Sequence, residues 1–118
     1  KLENNVKVGN FVEIKKSKIK GKSKISHLSY IGDTEMGGNV NIGAGTITCN
    51  YDGVDKHKTV IGDNVFVGSD TMLIAPIKLG KNSTTAAGSV LSTNLPSNSL
   101  GVSRVKEKHI SNWKRKKK

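Results

Sequence analysis

The chain has 118 residues, 34% of them hydrophobic and 4% aromatic, which suits one domain with a small, repetitive core rather than a bulky globular one. No apolar run approaches the ~20 residues of a membrane span, no signal-peptide pattern is visible, and the lone Cys49 admits no internal disulfide. The net charge of +11 raises the question of nucleic acid. The lysines fall in two clusters, Lys15 to Lys24 and Lys114 to Lys118, with no nucleic-acid motif and almost no aromatic residue to stack a base. A terminal basic run reads as a solvated tail, and the rest of the charge suits small polyanions. Cys49 reads as a small buried hydrophobe in a protein of the reducing cytoplasm.

Lys1 already stands in patterned sequence, so a fragment of a longer chain is expected. From the N-terminus, aliphatic residues recur at Val8, Ile14, Ile19, Ile25, Ile31, Met36 and Ile42, in steps of six with two steps of five. The segment 50–58 breaks the period; it is polar, contains Asp52-Gly53, and reads as a loop thrown out from the repeat. The period then resumes through Ile61, Val67, Leu73, Leu79, Thr85 and Leu91, with Gly62, Gly68 and Gly80 directly after three of them. Four residues after these positions stand Val65, Thr71, Ile77, Ser83 and Ser89, all small or branched.

Neither a helical period of 3.6 nor plain strand alternation gives this spacing. Six residues supply one short strand and one corner, and three such sides close a triangular coil that stacks on the next. The aliphatic residue faces inward; glycine or a small residue turns the corner, where positive φ is cheap for Gly, Asn or Asp. Thr85 stands where the repeat calls for an aliphatic residue, a weak rung in the core. After Leu95-Pro96 the period ends. The expected organisation is a β-helix over 1–97 with its loop at about 50–58, then an arm over 98–118 with a short helix near Trp113 and a basic tail.

The spacing also predicts which residues stack. Ile25 to Ile42 is one coil; Ile42 to Val67 is one 18-residue coil plus a seven-residue insertion, Tyr51 to His57; Val67 to Thr85 is another coil. One column therefore runs Asn10, His27, Ala44, Ser69, Ala87, a single histidine among small residues. Such a column leaves a groove in which a linear ligand can approach the backbone.

Handedness does not follow from spacing, but six-residue repeats resemble the left-handed parallel β-helix of the hexapeptide acyltransferases. Longer strings narrow the resemblance. They are Val8-Gly9-Asn10-Phe11-Val12-Glu13-Ile14-Lys15-Lys16, His27-Leu28-Ser29-Tyr30-Ile31-Gly32-Asp33, and Val40 through Gly53 (VNIGAGTITCNYDG) followed by Lys56. Together with Ser103-Arg104-Val105 and Trp113 they resemble the bifunctional N-acetylglucosamine-1-phosphate uridyltransferase/glucosamine-1-phosphate acetyltransferase family over nearly the whole chain.

The resemblance implies acetyl transfer from acetyl-CoA to the amine of glucosamine-1-phosphate by a homotrimer of the bacterial cytoplasm, on the route to UDP-N-acetylglucosamine, peptidoglycan and lipopolysaccharide. It implies His27 as the general base, since an ammonium cannot attack a thioester and an imidazole accepts a proton near neutral pH. It assigns the Ala44 N–H to the developing oxyanion and Asn50 to orienting the amine. Lys15, Tyr30, Asn41 and Lys56, with Glu13, match sugar-phosphate positions; Tyr51, Ser69, Ala87 and Arg104, with Ala44 and Asn50, match the acetyl-CoA site. His57 and His109 read as surface residues. No metal site is expected, because the Mg²⁺ of the family belongs to the uridyltransferase domain, which this sequence lacks along with the first coils. The rival readings are a zinc carbonic anhydrase of the same fold, which needs three converging histidines, and a non-catalytic β-helix module.

Overall fold

A six-residue side carrying one inward aliphatic residue cannot bury that residue alone, and becomes stable only when the chain above and below repeats it. The structure, a computed structural model, describes residues 1–116; Lys117 and Lys118, the end of the basic tail, lie outside the described residues. The first coil supplies β1 (Lys7–Val8), β2 (Glu13–Lys15) and β3 (Lys18–Ile19), and the second β4 (Lys24–Ile25), β5 (Tyr30–Gly32) and β6 (Thr34–Met36). The third supplies β7 (Asn41–Ile42), β8 (Ile47–Cys49) and β9 (Thr59–Ile61), and the fourth β10 (Phe66–Val67), β11 (Met72–Ile74) and β12 (Ile77–Leu79). The chain then adds β13 (Thr84–Thr85), β14 (Val90–Leu91) and β15 (Leu100–Gly101).

These strands form three parallel sheets, one per face of the prism. The first face is β1-β4-β7-β10-β13-β15, the second β2-β5-β8-β11-β14, and the third β3-β6-β9-β12. The fold is the all-strand, left-handed parallel β-helix that hexapeptide repeats build, 54 Å in its longest dimension. The register follows the aliphatic period: Val8, Ile25, Ile42, Val67 and Thr85 are successive partners on the first face. The loop between β8 and β9 leaves the register intact, since Met36 still pairs with Ile61 and Thr48 with Leu73.

The aliphatic rungs Ile19, Ile25, Ile31, Ile42, Val67 and Leu73 are all at most 1% exposed. Thr85 is equally buried, and its hydroxyl is satisfied: Oγ1 accepts from the Gly68 N–H at 3.1 Å and lies 3.1 Å from Thr71 Oγ1. The threonine therefore exchanges some apolar contact for a closed polar pair rather than leaving an orphaned group.

Two expectations about local structure are corrected. Gly62, Gly68 and Gly80 do not supply positive φ; that conformation falls two residues later, at Asn64, Asp70 and Asn82. The glycines are there for close approach: a Cβ on Gly68 would lie 2.6 Å from the backbone nitrogen of Ala87. Phe11 (φ 58°) and Leu28 (φ 59°) also turn corners in the left-handed region, which costs a bulky side chain roughly 1–2 kcal/mol. The helix expected near Trp113 is absent from the described arm, which makes a turn at Asn112 (φ 58°). Among the described residues Val105, Ile110 and Trp113 are all largely exposed, so this segment has little packing, and a helix so short is marginal without it. Strand pairing also continues beyond Pro96, as β15 lies on β13.

Leu73 is fully buried and stands mid-solenoid on the second face. Leu73→Ala is expected to cost about 2–5 kcal/mol in urea unfolding; a loss under ~1 kcal/mol would mean that the coil does not depend on its inward rung.

Candidate active site

The predicted column exists. His27, Asn41, Gly43, Ala44, Phe66, Ser69, Thr84 and Ala87 line one groove of about 660 Å³ along the edge where the first face turns into the second. Each coil here uses its carbonyl and leaves its amide. The carbonyls of His27, Ala44 and Ser69 accept from the N–H groups of Gly45 (3.2 Å), Asp70 (2.8 Å) and Gly88 (2.8 Å). Ala87, on the last coil, accepts instead from Arg104 Nη1 at 2.7 Å, so the arm residue caps the column.

Among the described residues, the backbone N–H groups of Ala44, Ser69 and Ala87 donate to nothing. Glycine keeps two of them open: a Cβ on Gly43 would sit 2.5 Å from the Ser69 nitrogen, and one on Gly68 would cover Ala87 in the same way. A row of fixed, uncovered N–H groups can donate to a carbonyl or oxyanion oxygen with no cost of reorganisation. The His27 ring borders this row, is exposed, and has no hydrogen-bond partner among the described residues.

A second cluster lies across the second face. Asn50 follows β8, is 8% exposed, and donates through Nδ2 to Asp33 Oδ2 at 2.7 Å and to Tyr30 Oη at 3.2 Å. Gly32 makes the meeting possible, because a Cβ there would lie 2.6 Å from Asn50 Nδ2. Glu13 pairs in register with Tyr30, and Lys15 with Gly32, so both exposed side chains share this face with the cluster.

The loop beside it folds on itself. Tyr51 bridges to Lys56, and Tyr51 Oη donates to the Gly53 carbonyl at 2.8 Å. Asp52 Oδ1 accepts from the N–H groups of Val54 and Asp55, while Oδ2 lies 2.8 Å from His57 Nε2. The hydrogen bond with His57, followed by those from Asp55 and Val54, lowers the Asp52 carboxyl to about 2.

The structure thus brings together His27, Asn41, Ala44, Ser69, Ala87 and Arg104 at one corner, and Glu13, Lys15, Tyr30 and Asn50 on the next face, with Tyr51 and Lys56 on the adjoining loop. Sequence reading missed Asp33, Asp52 and His57. Asp52-Gly53 signalled the turn, but the pairing with His57 five residues on becomes visible only when the loop closes. Among the described residues no group of three His, Cys, Asp or Glu side chains is placed to hold a metal ion, and no helix is long and apolar enough to cross a membrane.

The family Hexapep, bacterial transferase hexapeptide (six repeats), matches residues 58–93. Bifunctional protein GlmU of Desulfitobacterium hafniense is 59% identical over 117 residues, 99% of this chain and 26% of that protein. The same protein of Nitrosomonas eutropha is 62% identical over 99% of this chain and 26% of its own length. This segment is therefore similar in sequence to a part of the bifunctional GlmU proteins. The chain spans about a quarter of the length of these relatives. Among solved structures, a point mutant of AntD, an N-acyltransferase from Bacillus cereus, shares the fold with a TM-score of 0.75 at 19% identity, covering 86% of this chain and 72% of that one. PerB from Caulobacter crescentus does so with a TM-score of 0.53 at 19% identity, covering 83% and 51%.

The Asp52 carboxyl has a depressed folded-state pKa, so its contribution to loop closure is complete above the ordinary value of 3.8 and is lost as pH falls through about 2. Carbon NMR is expected to find the Asp52 midpoint near 2, and to find it raised toward 3.8 in His57→Ala. A midpoint of 3.8 in the parent protein would show that the loop lacks this lock.

Proposed function

We propose that the chain transfers acetyl from acetyl-CoA to the amine of glucosamine-1-phosphate, giving N-acetylglucosamine-1-phosphate. The observation carrying this reading is an unpartnered imidazole, His27, beside a row of uncovered backbone N–H groups that begins at Ala44. The sugar ammonium loses one proton to solvent, and as the free amine attacks the thioester carbonyl His27 removes a second proton from its nitrogen. The oxygen that gains negative charge is held by the Ala44 N–H, and the tetrahedral intermediate collapses with loss of coenzyme A as the thiol, taking the proton back. A non-catalytic module gives no reason for open donors facing a free base.

The extended pantetheine arm fits along Ser69 and Ala87, with Arg104 at the end of the column for coenzyme A phosphate and Tyr51 bordering the thioester. Lys15 and Lys56 supply charge to the sugar phosphate, while Tyr30, Asn41 and Glu13 bind the sugar. The AntD and PerB structures that share the fold are described as complexes of coenzyme A with dTDP-4-amino-4,6-dideoxyglucose and with GDP-perosamine, which supports a coenzyme A thioester and a sugar as partners. No metal enters the step.

One copy presents the His27 groove and the Asn50 cluster at neighbouring corners, separated by β5 and the residue on either side of it, four steps of ~3.3 Å or roughly 13 Å. A homotrimer, in which the groove of one copy faces the cluster of the next, closes that separation and covers the exposed Phe11 and Leu28 corners. The activity places the protein in the bacterial cytoplasm, supplying UDP-N-acetylglucosamine for peptidoglycan and lipopolysaccharide.

The test is thiol release from acetyl-CoA with glucosamine-1-phosphate. His27→Ala is expected to lower kcat by about 10²–10⁴-fold with a small change in KM. Release that survives the substitution refutes His27 as base; no release from the folded parent protein refutes the reading. Lys56→Ala is expected to raise KM for the sugar phosphate while leaving KM for acetyl-CoA unchanged, measured in the same assay.

A further inference from the structure

Asp33 is assigned no part in the step above, yet its carboxylate holds the buried amide of Asn50 at 2.7 Å. A carboxylate only accepts hydrogen bonds, so the amide must turn its NH₂ toward Asp33. The second proton of that NH₂ goes to Tyr30 Oη at 3.2 Å. Both donors of Asn50 are then used, and two consequences follow. Asn50 Oδ1, which takes no hydrogen bond among the described residues, becomes an outward acceptor. Tyr30 Oη, already accepting, is left with its own proton to donate.

We propose that Asp33 is a positioning residue: by fixing the orientation of the Asn50 amide, it sets Asn50 as an acceptor and Tyr30 as a donor toward the ligand. This rests on the acetyltransferase reading and specifies the ligand chemistry of that site. An N–H of the sugar amine meets Asn50 Oδ1, and an anionic or hydroxyl oxygen meets the Tyr30 hydroxyl. With the amide reversed, Asn50 would present N–H to an amine, donor against donor, and the nucleophile would lose its alignment. Gly32 supports the assignment, since its missing Cβ is what lets the Tyr30 and Asn50 side chains meet over β5.

The backbone at Asp33 makes the test clean. Asp33 has φ 48°, in the left-handed region that asparagine tolerates as readily as aspartate. Asp33→Asn therefore preserves shape and conformation while adding a donor that can pair with Asn50 Oδ1 and reverse the amide. In ¹⁵N-labelled parent protein, the Asn50 carboxamide protons, identified by their loss in Asn50→Asp, are expected to exchange slowly and to shift when glucosamine-1-phosphate is added. In Asp33→Asn this protection is lost. kcat/KM for glucosamine-1-phosphate falls roughly 10- to 100-fold, most of it in kcat, while KM for acetyl-CoA stays within about twofold.

The proposal is overturned if Asp33→Asn keeps the protected Asn50 signals, or if they vanish while kcat/KM for the sugar stays within about threefold. A parent protein that shows the protected amide but neither binds glucosamine-1-phosphate nor releases thiol overturns the acetyltransferase reading instead. The Asp33–Asn50 contact would then stand as structure only, and the positioning role would fall with it.

Discussion

Everything in this molecule depends on one spacing, the inward aliphatic residue every six positions, stacked in register on the same residue of the next coil. On the first face the partners Ile25, Ile42 and Val67 are at most 1% exposed, and each holds the strands on either side at a fixed height. The side chains are small because the prism is narrow, which explains how a chain with 4% aromatic residues can still be folded. A slip of one residue would turn every rung outward. The same constraint limits the corners: where one coil must approach the next most closely a Cβ does not fit, and glycine follows the aliphatic residue.

That corner geometry produces the chemistry. Parallel stacking uses the corner carbonyls, each of which accepts from the coil above, and leaves the N–H groups of Ala44, Ser69 and Ala87 pointing out beside small side chains. The solenoid thus generates a repeated, rigid row of donors from its fold alone, and the proposed reaction sets one imidazole, His27, beside them. The inserted loop adds the other half. It leaves β8 at Cys49 and rejoins at Thr59 without changing the register, so it can vary in sequence and length while the coil stays intact.

Much of this was legible because a solenoid makes sequence separation into spatial position. The column from Asn10 to Ala87 and the seven-residue insertion follow from counting, and the registers of Ile42 on Val67 and Val67 on Thr85 agree with the count. Reading failed where side chains rather than the period decide. The separation of 17 residues from Asp33 to Asn50 is one full coil, so counting stacks the two, but which polar groups their side chains reach is set by side-chain geometry, and the lock of His57 on Asp52 depends on how the loop closes. Positive φ at Phe11 and Leu28 was also invisible, since both residue types argue against it and tertiary stacking overrides them. Beyond Gly101 the repeat no longer dictates structure, and composition alone suggested a helix that lacks any surface to pack on.

The most direct test of the account is complementation between copies. His27→Ala and Asn50→Ala chains, each inactive, would be unfolded together in equal amounts, refolded, and assayed for thiol release against either variant alone. If the groove of one copy works with the cluster of its neighbour, a randomly mixed trimer regains activity at about a quarter of its sites, those pairing an intact His27 with an intact Asn50. If the mixture remains as inactive as its components although the copies have exchanged, the two clusters do not meet between copies, and the site described here is incorrectly assembled.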